Sequence, residues 1–282
     1  MVANMTNHNL QEEKFKLDQL LTQKRLNISD EEIKYITSKL PDKKFYEFAY
    51  HMLMQNKFIN LETEWQEWKP WNIWHYPIFD LNRFNIIVCQ NASYIRNKKI
   101  LDVGCNIGYL SLFCLELGCE NVLGIDVREE KLNIADFICN KANFSNHNFK
   151  KVDINYKDNI VPVLDGIETI LLSGMLYHVS NHYDILRNLS DSKAETMIIE
   201  ISESHEFRDE HTPNILWHNK ENTKLTLNGY SKEHNNILVG HPNQSWINMA
   251  MKEFGWRLQK IEYFVVDLEG KKNHRCCSVF VR

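Results

Sequence analysis

The chain predicts an α/β fold, a parallel sheet with helices on both faces, and three observations predict it. From Lys98 onward, short apolar runs alternate with segments whose apolar residues recur at helical spacing. A glycine-containing turn joins the first run to the first helical segment. Acidic residues close the next two runs, which places them at one edge of a parallel sheet, where such folds bind ligands.

Taken in order, Ile100–Val103 reads as the first strand, and Tyr109–Leu117 as a helix with Leu110, Phe113, Cys114 and Leu117 on one face. Asn121–Asp126 reads as the second strand and Arg128–Asn143 as the second helix. Further strands are expected at Phe149–Asp153, Thr169–Ser173 and Thr196–Ile201. A polar stretch rich in His and Asn then runs to about Asn243. It is too long for an ordinary connection and reads as a functional insertion or lid over about 202–243. A helix over Gln244–Phe254 stops at Gly255. Two closing strands, Arg257–Val266 and Arg275–Arg282, complete the chain.

The first part has a different texture. Apolar residues from Phe15 to Leu26, a capping box at Ser29 and Glu32, and the stripe Phe45, Phe48, Ala49, Met52, Leu53 predict amphipathic helices. Trp65, Trp68, Trp71 and Trp74 follow at a spacing of three, with Pro70 and Pro77 preventing one continuous helix. The domain expectation is a helical, Trp-rich cap over 1–94 and a ligand-binding sheet domain over 95–282.

Composition narrows the class. Hydrophobic residues make up 43% and charged residues 25%, as in a globular protein rather than a disordered or fibrous one. With 33 basic and 37 acidic residues the net charge is -4, unlike a protein that grips nucleic acid over its whole surface. No apolar stretch reaches the ~18 residues of a membrane span, and with no charged n-region followed by an apolar h-region at the start of the sequence, no secretion is expected. The seven Cys have no zinc-type CxxC spacing, so the expectation is reduced thiols in the cytoplasm. Cys276 and Cys277 should point to opposite faces of one strand.

The chemistry concentrates in Asp102-Val103-Gly104-Cys105-Asn106-Ile107-Gly108-Tyr109. Gly104 and Gly108 allow close approach of a ligand to the backbone, and Asn106 tolerates a left-handed conformation. The helix that follows offers free N–H groups. Asp126 lies 22 residues after Gly104, positioned to take two ribose hydroxyls. Asp153 can accept a hydrogen bond from an adenine amino group.

Together these residues resemble the class I S-adenosylmethionine-dependent methyltransferases. The Gly turn resembles their first motif with Asn106 in place of the middle Gly, Gly124-Ile125-Asp126 the second, Val152-Asp153 the third and Leu172-Ser173-Gly174-Met175 the fourth. The resemblance covers about 95–282. It implies a Rossmann-like seven-stranded methyltransferase sheet, its last strand antiparallel beside the fifth, with the N-terminal helical cap and inserted lid added. It implies S-adenosyl-L-methionine as cofactor. Asp102 and Gly104 would hold its amino-acid part, Asp126 its ribose, and Asp153 with Ile154 would flank its adenine, with Cys105, Asn106, Gly108, Val127 and Ser173 also among the cofactor-binding residues. A narrower stretch, Leu176-Tyr177-His178 with His182 following, is similar to methyltransferases related to the tRNA wobble-uridine carboxymethyltransferase, as is Trp74-His75-Tyr76-Pro77. Those enzymes use a carboxylated cofactor gripped by basic side chains. An NAD dehydrogenase fits less well, because the turn lacks a third Gly.

Transfer to a hydroxyl needs a base, and His is the usual choice near neutral pH. His178, just past the fourth strand, is the first candidate and His182 the second. Tyr177, Trp74 and Tyr76 are expected to line the acceptor pocket, the other Trp residues to pack. Glu200, in the fifth strand, would orient substrate or cap a loop. His205, His211, His218, His234 and His241 match no metal template. Asp153, Asp165, His178 and Glu200 leave metal-assisted transfer open, but no metal is expected. The favoured acceptor is the hydroxyl of a small molecule or saccharide. Transfer to tRNA is the alternative, and a binding module without catalysis the third reading. No membrane partner is expected.

Overall fold

The computed structural model describes residues 83, 86–203, 212–221, 236–268 and 271–282. The expected N-terminal helices and the Trp-rich segment, with Trp74 and Tyr76, lie outside the described residues.

Alternating apolar runs and helical segments do fold as strands and covering helices. The order is β1 (Lys99–Val103), α1 (Tyr109–Glu116), β2 (Asn121–Asp126), α2 (Glu129–Lys141), β3 (His147–Lys151), α3 (Lys157–Ile160), β4 (Thr169–Ser173), α4 (His182–Ser190) and β5 (Thr196–Glu203). The strands β6 (Ile215–Glu221) and β7 (Asn236–Pro242), helix α5 (Gln244–Glu253), and strands β8 (Arg257–Leu268) and β9 (Lys271–Val281) follow. One seven-stranded sheet runs β3-β2-β1-β4-β5-β9-β8. Strands β1 to β5 are parallel, and β9 is antiparallel to both β5 and β8, which inserts the last strand beside the fifth.

Strand alternation divides the core between the two faces. Ile100, Ile198, Cys277 and Val279 pack with Phe113, Ile134 and Cys139 of α1 and α2. Leu101, Val103, Ile199, Cys276 and Phe280 pack on the opposite face with Ile185, Leu189, Ile247 and Trp256. Cys276 and Cys277 thus part to opposite faces as expected, and all seven thiols are buried and free of disulfides. Ile86, Ile87, Val88, Ala92 and Ile95 belong to the first of these clusters. Residues on both sides of the expected boundary at 94–95 therefore pack in that cluster.

Two elements differ from the sequence expectation. Strand β3 begins and ends two residues earlier, pairing Val122 with His147 through Asp126 with Lys151. It is a half-exposed edge strand of polar residues, without the apolar alternation that would mark its limits. The expected insertion after β5 carries strands of its own, which the sequence reading did not give. Strands β6 and β7 pair antiparallel within it as a separate two-stranded ribbon. Helix α5 then starts at Asn243, whose side chain accepts a hydrogen bond from Trp246 N–H at 2.9 Å, and stops at Gly255 (φ 82°) as expected. Among the described residues, no helix is long and apolar enough to cross a membrane.

Candidate active site

The turn after β1 is tied to the end of β2. Gly104 and Cys105 N–H both donate to the Ile125 carbonyl, at 2.8 and 2.9 Å. Gly104 (φ 72°), Asn106 (φ 55°) and Gly108 (φ 77°) all take the left-handed conformation. At Gly108 a Cβ would lie 2.7 Å from the Ala135 Cβ, so the approach of α2 adds a steric reason for glycine. Helix α1 begins at Gly108 with no side chain capping it, which leaves its leading N–H groups at the carboxyl edge of the sheet.

Asp126 ends β2 beside this turn and is 5% exposed. Its Oδ2 accepts from Asn106 N–H (3.1 Å) and Arg128 Nη2 (2.8 Å), and its Oδ1 from Arg128 N–H (3.0 Å) and Nε (2.8 Å). Burial opposes ionisation, but the Arg128 guanidinium and these hydrogen bonds hold the carboxyl below the usual carboxylate range. Arg128 was not singled out from the sequence, although its place two residues after the strand-end acid was visible there.

Asp102 lies beneath the turn rather than on it. It is 1% exposed, accepts a 2.6 Å hydrogen bond from Ser111 Oγ of α1, and is pushed up to about 6 by burial. Its observed partner ties β1 to α1. Cys105 is buried, and burial raises its thiol well above the ordinary value. Asp153 lies beyond the end of β3, in the loop before α3, with Oδ1 taken by Asn155 N–H (3.0 Å) and Nδ2 (2.7 Å). Val127 is half-buried beside Asp126 and Ile154 is buried.

The carboxyl ends of β4 and β5 carry a second constellation. Glu200 is fully buried, and it is held by Arg83 Nε and Nη2 (3.2 and 2.8 Å), by Arg275 Nε and by Ser173 Oγ (2.9 Å). Burial alone would raise its carboxyl, yet the Arg275 and Arg83 guanidiniums hold it well below the usual range. Of the two roles expected for Glu200, orienting substrate or capping a loop, neither is among its observed contacts: its oxygens face two buried cations. Ser173 is occupied in the same cluster, where it also accepts from Arg83 Nη2 at 2.9 Å. Gly174 (φ 64°) passes so close that a Cβ there would lie 2.7 Å from Arg83 Nη2 and 3.2 Å from Tyr177 Oη. Sequence reasoning missed Arg83 and Arg275, which stand 117 and 75 positions from Glu200, without any local pattern.

After Gly174 a single 3-10 turn over Leu176–His178 presents Tyr177 and His178, both half-buried, with ring centroids 4.5 Å apart. Tyr177 also stacks on His241 of β7, at 5.4 Å and 16° between planes. His182 is placed differently from the expectation of a second base. It is 1% exposed, with Nε2 3.0 Å from the Leu176 carbonyl and 2.9 Å from the Gly240 carbonyl, and its ring edges meet Trp217 and Trp246. Burial lowers its pKa, so the ring is a neutral donor that seats the β6–β7 ribbon against the turn after β4.

With this geometry described, comparison with known proteins decides the family. A methyltransferase-domain family matches residues 55–261 of the chain. The chain belongs to that family. Among curated relatives, the tRNA U34 carboxymethyltransferase of Pseudomonas paraeruginosa is 33% identical over 97 residues, which is 34% of this chain and 29% of that protein. The chain thus matches about three-tenths of the length of such relatives. Among solved structures, the N-terminal domain of EvdMO1 with S-adenosylhomocysteine (SAH) bound superposes with a TM-score of 0.51 at 18% identity, over 71% of this chain and 79% of that one. An S-adenosylmethionine dependent methyltransferase from Mesorhizobium loti gives 0.52 at 14% identity, over 72% and 97%. At those identities the likeness is one of fold.

Proposed function

We propose that this member of the methyltransferase family transfers a methyl group from S-adenosylmethionine to a hydroxyl of a small molecule or saccharide. The residues at the carboxyl edge fit that cofactor. The left-handed turn from Gly104 to Gly108 brings backbone, without side-chain bulk at its two glycines, to the uncapped start of α1. Asp126 offers a carboxylate for a ribose diol, and Asp153 and Ile154 stand at the next strand for the adenine. When bound, the cofactor supplies a sulfonium methyl and the driving force for its transfer. The chain's own contribution is to hold the acceptor in line and to take its proton.

The observation that carries the reading is the placement of His178, half-buried on the 3-10 turn that follows β4 two residues on. That position supports His178 as the base and its neighbour Tyr177 as a wall of the acceptor site, while the net charge of -4 favours a small acceptor over RNA. The test is incubation of the protein with radiolabelled cofactor and a hydroxyl-bearing metabolite extract. Small labelled products, lost in His178→Gln with SAH affinity unchanged, are expected. Labelling confined to RNA would overturn the choice of acceptor.

A second reading, methyl or carboxymethyl transfer to a tRNA wobble uridine, is favoured by two observations: the 97-residue match above, and the one net positive charge of the buried Arg83–Glu200–Arg275 cluster beside Tyr177. Stronger binding of a carboxylated cofactor than of S-adenosylmethionine, with salt-sensitive binding of tRNA, would select it.

A further inference from the structure

The carboxylate of Asp126 is fully engaged before any cofactor arrives. An ionised carboxyl has about four lone-pair sites, two on each oxygen. Here Oδ1 receives Arg128 N–H and Nε, and Oδ2 receives Asn106 N–H and Arg128 Nη2. The two backbone donors are fixed by the turn and by the start of α2. The two guanidinium donors are on a side chain that can swing. Withdrawing the guanidinium would free one acceptor site on each oxygen, and a vicinal diol needs one on each.

We propose that the Arg128 side chain competes with the cofactor's ribose for Asp126, holding the carboxylate in the free protein and leaving it when the diol binds. The inference rests on the reading of Asp126 as the ribose ligand. The surroundings suit an exchange of partners. Lys131, 2% exposed, also acts electrostatically on Asp126; burial and the Arg128 charge hold its ammonium well below its ordinary pKa, and withdrawal of the guanidinium removes the second of these. Glu130, half-buried on the first turn of α2, attracts the Arg128 charge and offers it another carboxylate to face. Each molecule of cofactor therefore binds at the expense of a two-point charge-assisted hydrogen bond, and Arg128 sets how weak that binding is.

The two roles open to Arg128 make opposite predictions. A residue that merely supports the fold would, when replaced, weaken both stability and binding. A competitor would lower stability while tightening binding. Isothermal titration of the full chain with SAH is expected to show Arg128→Gln binding about tenfold tighter than wild type, the size of one charge-assisted contact. Its thermal midpoint without ligand should fall. Arg128→Lys, which keeps the charge but loses the two-point grip, should bind with intermediate affinity, and it carries the test if the Gln variant does not fold. Competition by adenosine and 2′,3′-dideoxyadenosine isolates the diol: preference for adenosine should grow in Arg128→Gln. Equal or weaker SAH binding in a folded Arg128 variant, or tightening without that growth, overturns the proposal. Asp126→Asn separates the two failures. If it leaves SAH affinity unchanged, the ribose assignment is wrong; if it weakens binding while the Arg128 variants do not tighten it, only the competition is wrong.

Discussion

Replacing Glu200 by Gln keeps the shape of a fully buried side chain but removes the charge shared by Arg83 and Arg275. Both guanidiniums lie inside the protein, at 5% and 1% exposure, with one carboxylate between them. The substitution leaves two buried cations facing each other, and removing one partner of a buried pair costs about 3–5 kcal/mol. At roughly 2 °C per kcal/mol for a chain of this size, the melting midpoint should fall by about 6–10 °C at pH 7. The pH dependence gives an independent reading. The Glu200 carboxyl is held below its ordinary value in the folded state, so its contribution is present above the unfolded pKa and is lost as pH falls through the folded one. Wild type should lose stability below about pH 4.5 more steeply than Glu200→Gln. Differential scanning calorimetry of both proteins from pH 2 to 7 measures the two effects. A Gln variant that melts with wild type at neutral pH would refute the reading of Glu200 as the counter-charge of two buried guanidiniums. A double change with Arg275→Met should recover part of the loss, because it removes one of the stranded charges.

Other changes follow the same physics. Gly108→Ala forces a Cβ against Ala135 at a φ of 77°, which should cost about 1–2 kcal/mol and weaken SAH binding, read by thermal melting and titration calorimetry. Asp102 is raised to about 6 by burial, so the folded state binds the extra proton between its unfolded and folded values, and stability falls as pH rises through that window. Asp102→Asn should abolish a decline of about 2–3 kcal/mol between pH 4 and 7 in urea titrations. His182→Ala removes the ring donor shared by the Leu176 and Gly240 carbonyls, of which Leu176 keeps the Val179 N–H, and should cost about 1–3 kcal/mol in urea titrations at pH 7. Because burial lowers the wild-type His182 pKa, that contribution should shrink as pH falls below about 6.5.

Much of the sheet was legible because its signals are local. Strands β1, β2, β4 and β5 are apolar runs closed by a turn, and their limits agree with the expectation to within two residues. The strain-tolerant residues of the Gly turn, Asn106 among them, declare themselves by type. Strand β3 was misplaced because an exposed edge carries no alternation to read. His182 and Glu200 were read as chemistry because polar side chains at the carboxyl edge usually face ligand. Only the packing of Trp217 and Trp246 on one, and of Arg83 and Arg275 on the other, shows that these two face inward.

By itself the sequence determined the α/β class, the Gly turn, the strand-end acid Asp126 and the opposed faces of Cys276 and Cys277. All of these follow from periodicity and residue type over a few neighbouring positions. The tertiary structure alone decided which charges meet. It brought Arg83 and Arg275 to Glu200 from 117 and 75 positions away, and it folded β6–β7 back so that His241 meets Tyr177. It also closed Arg128 onto Asp126. Such pairings depend on the path of the whole chain and on desolvation at the point of contact, and neither is written in any local stretch.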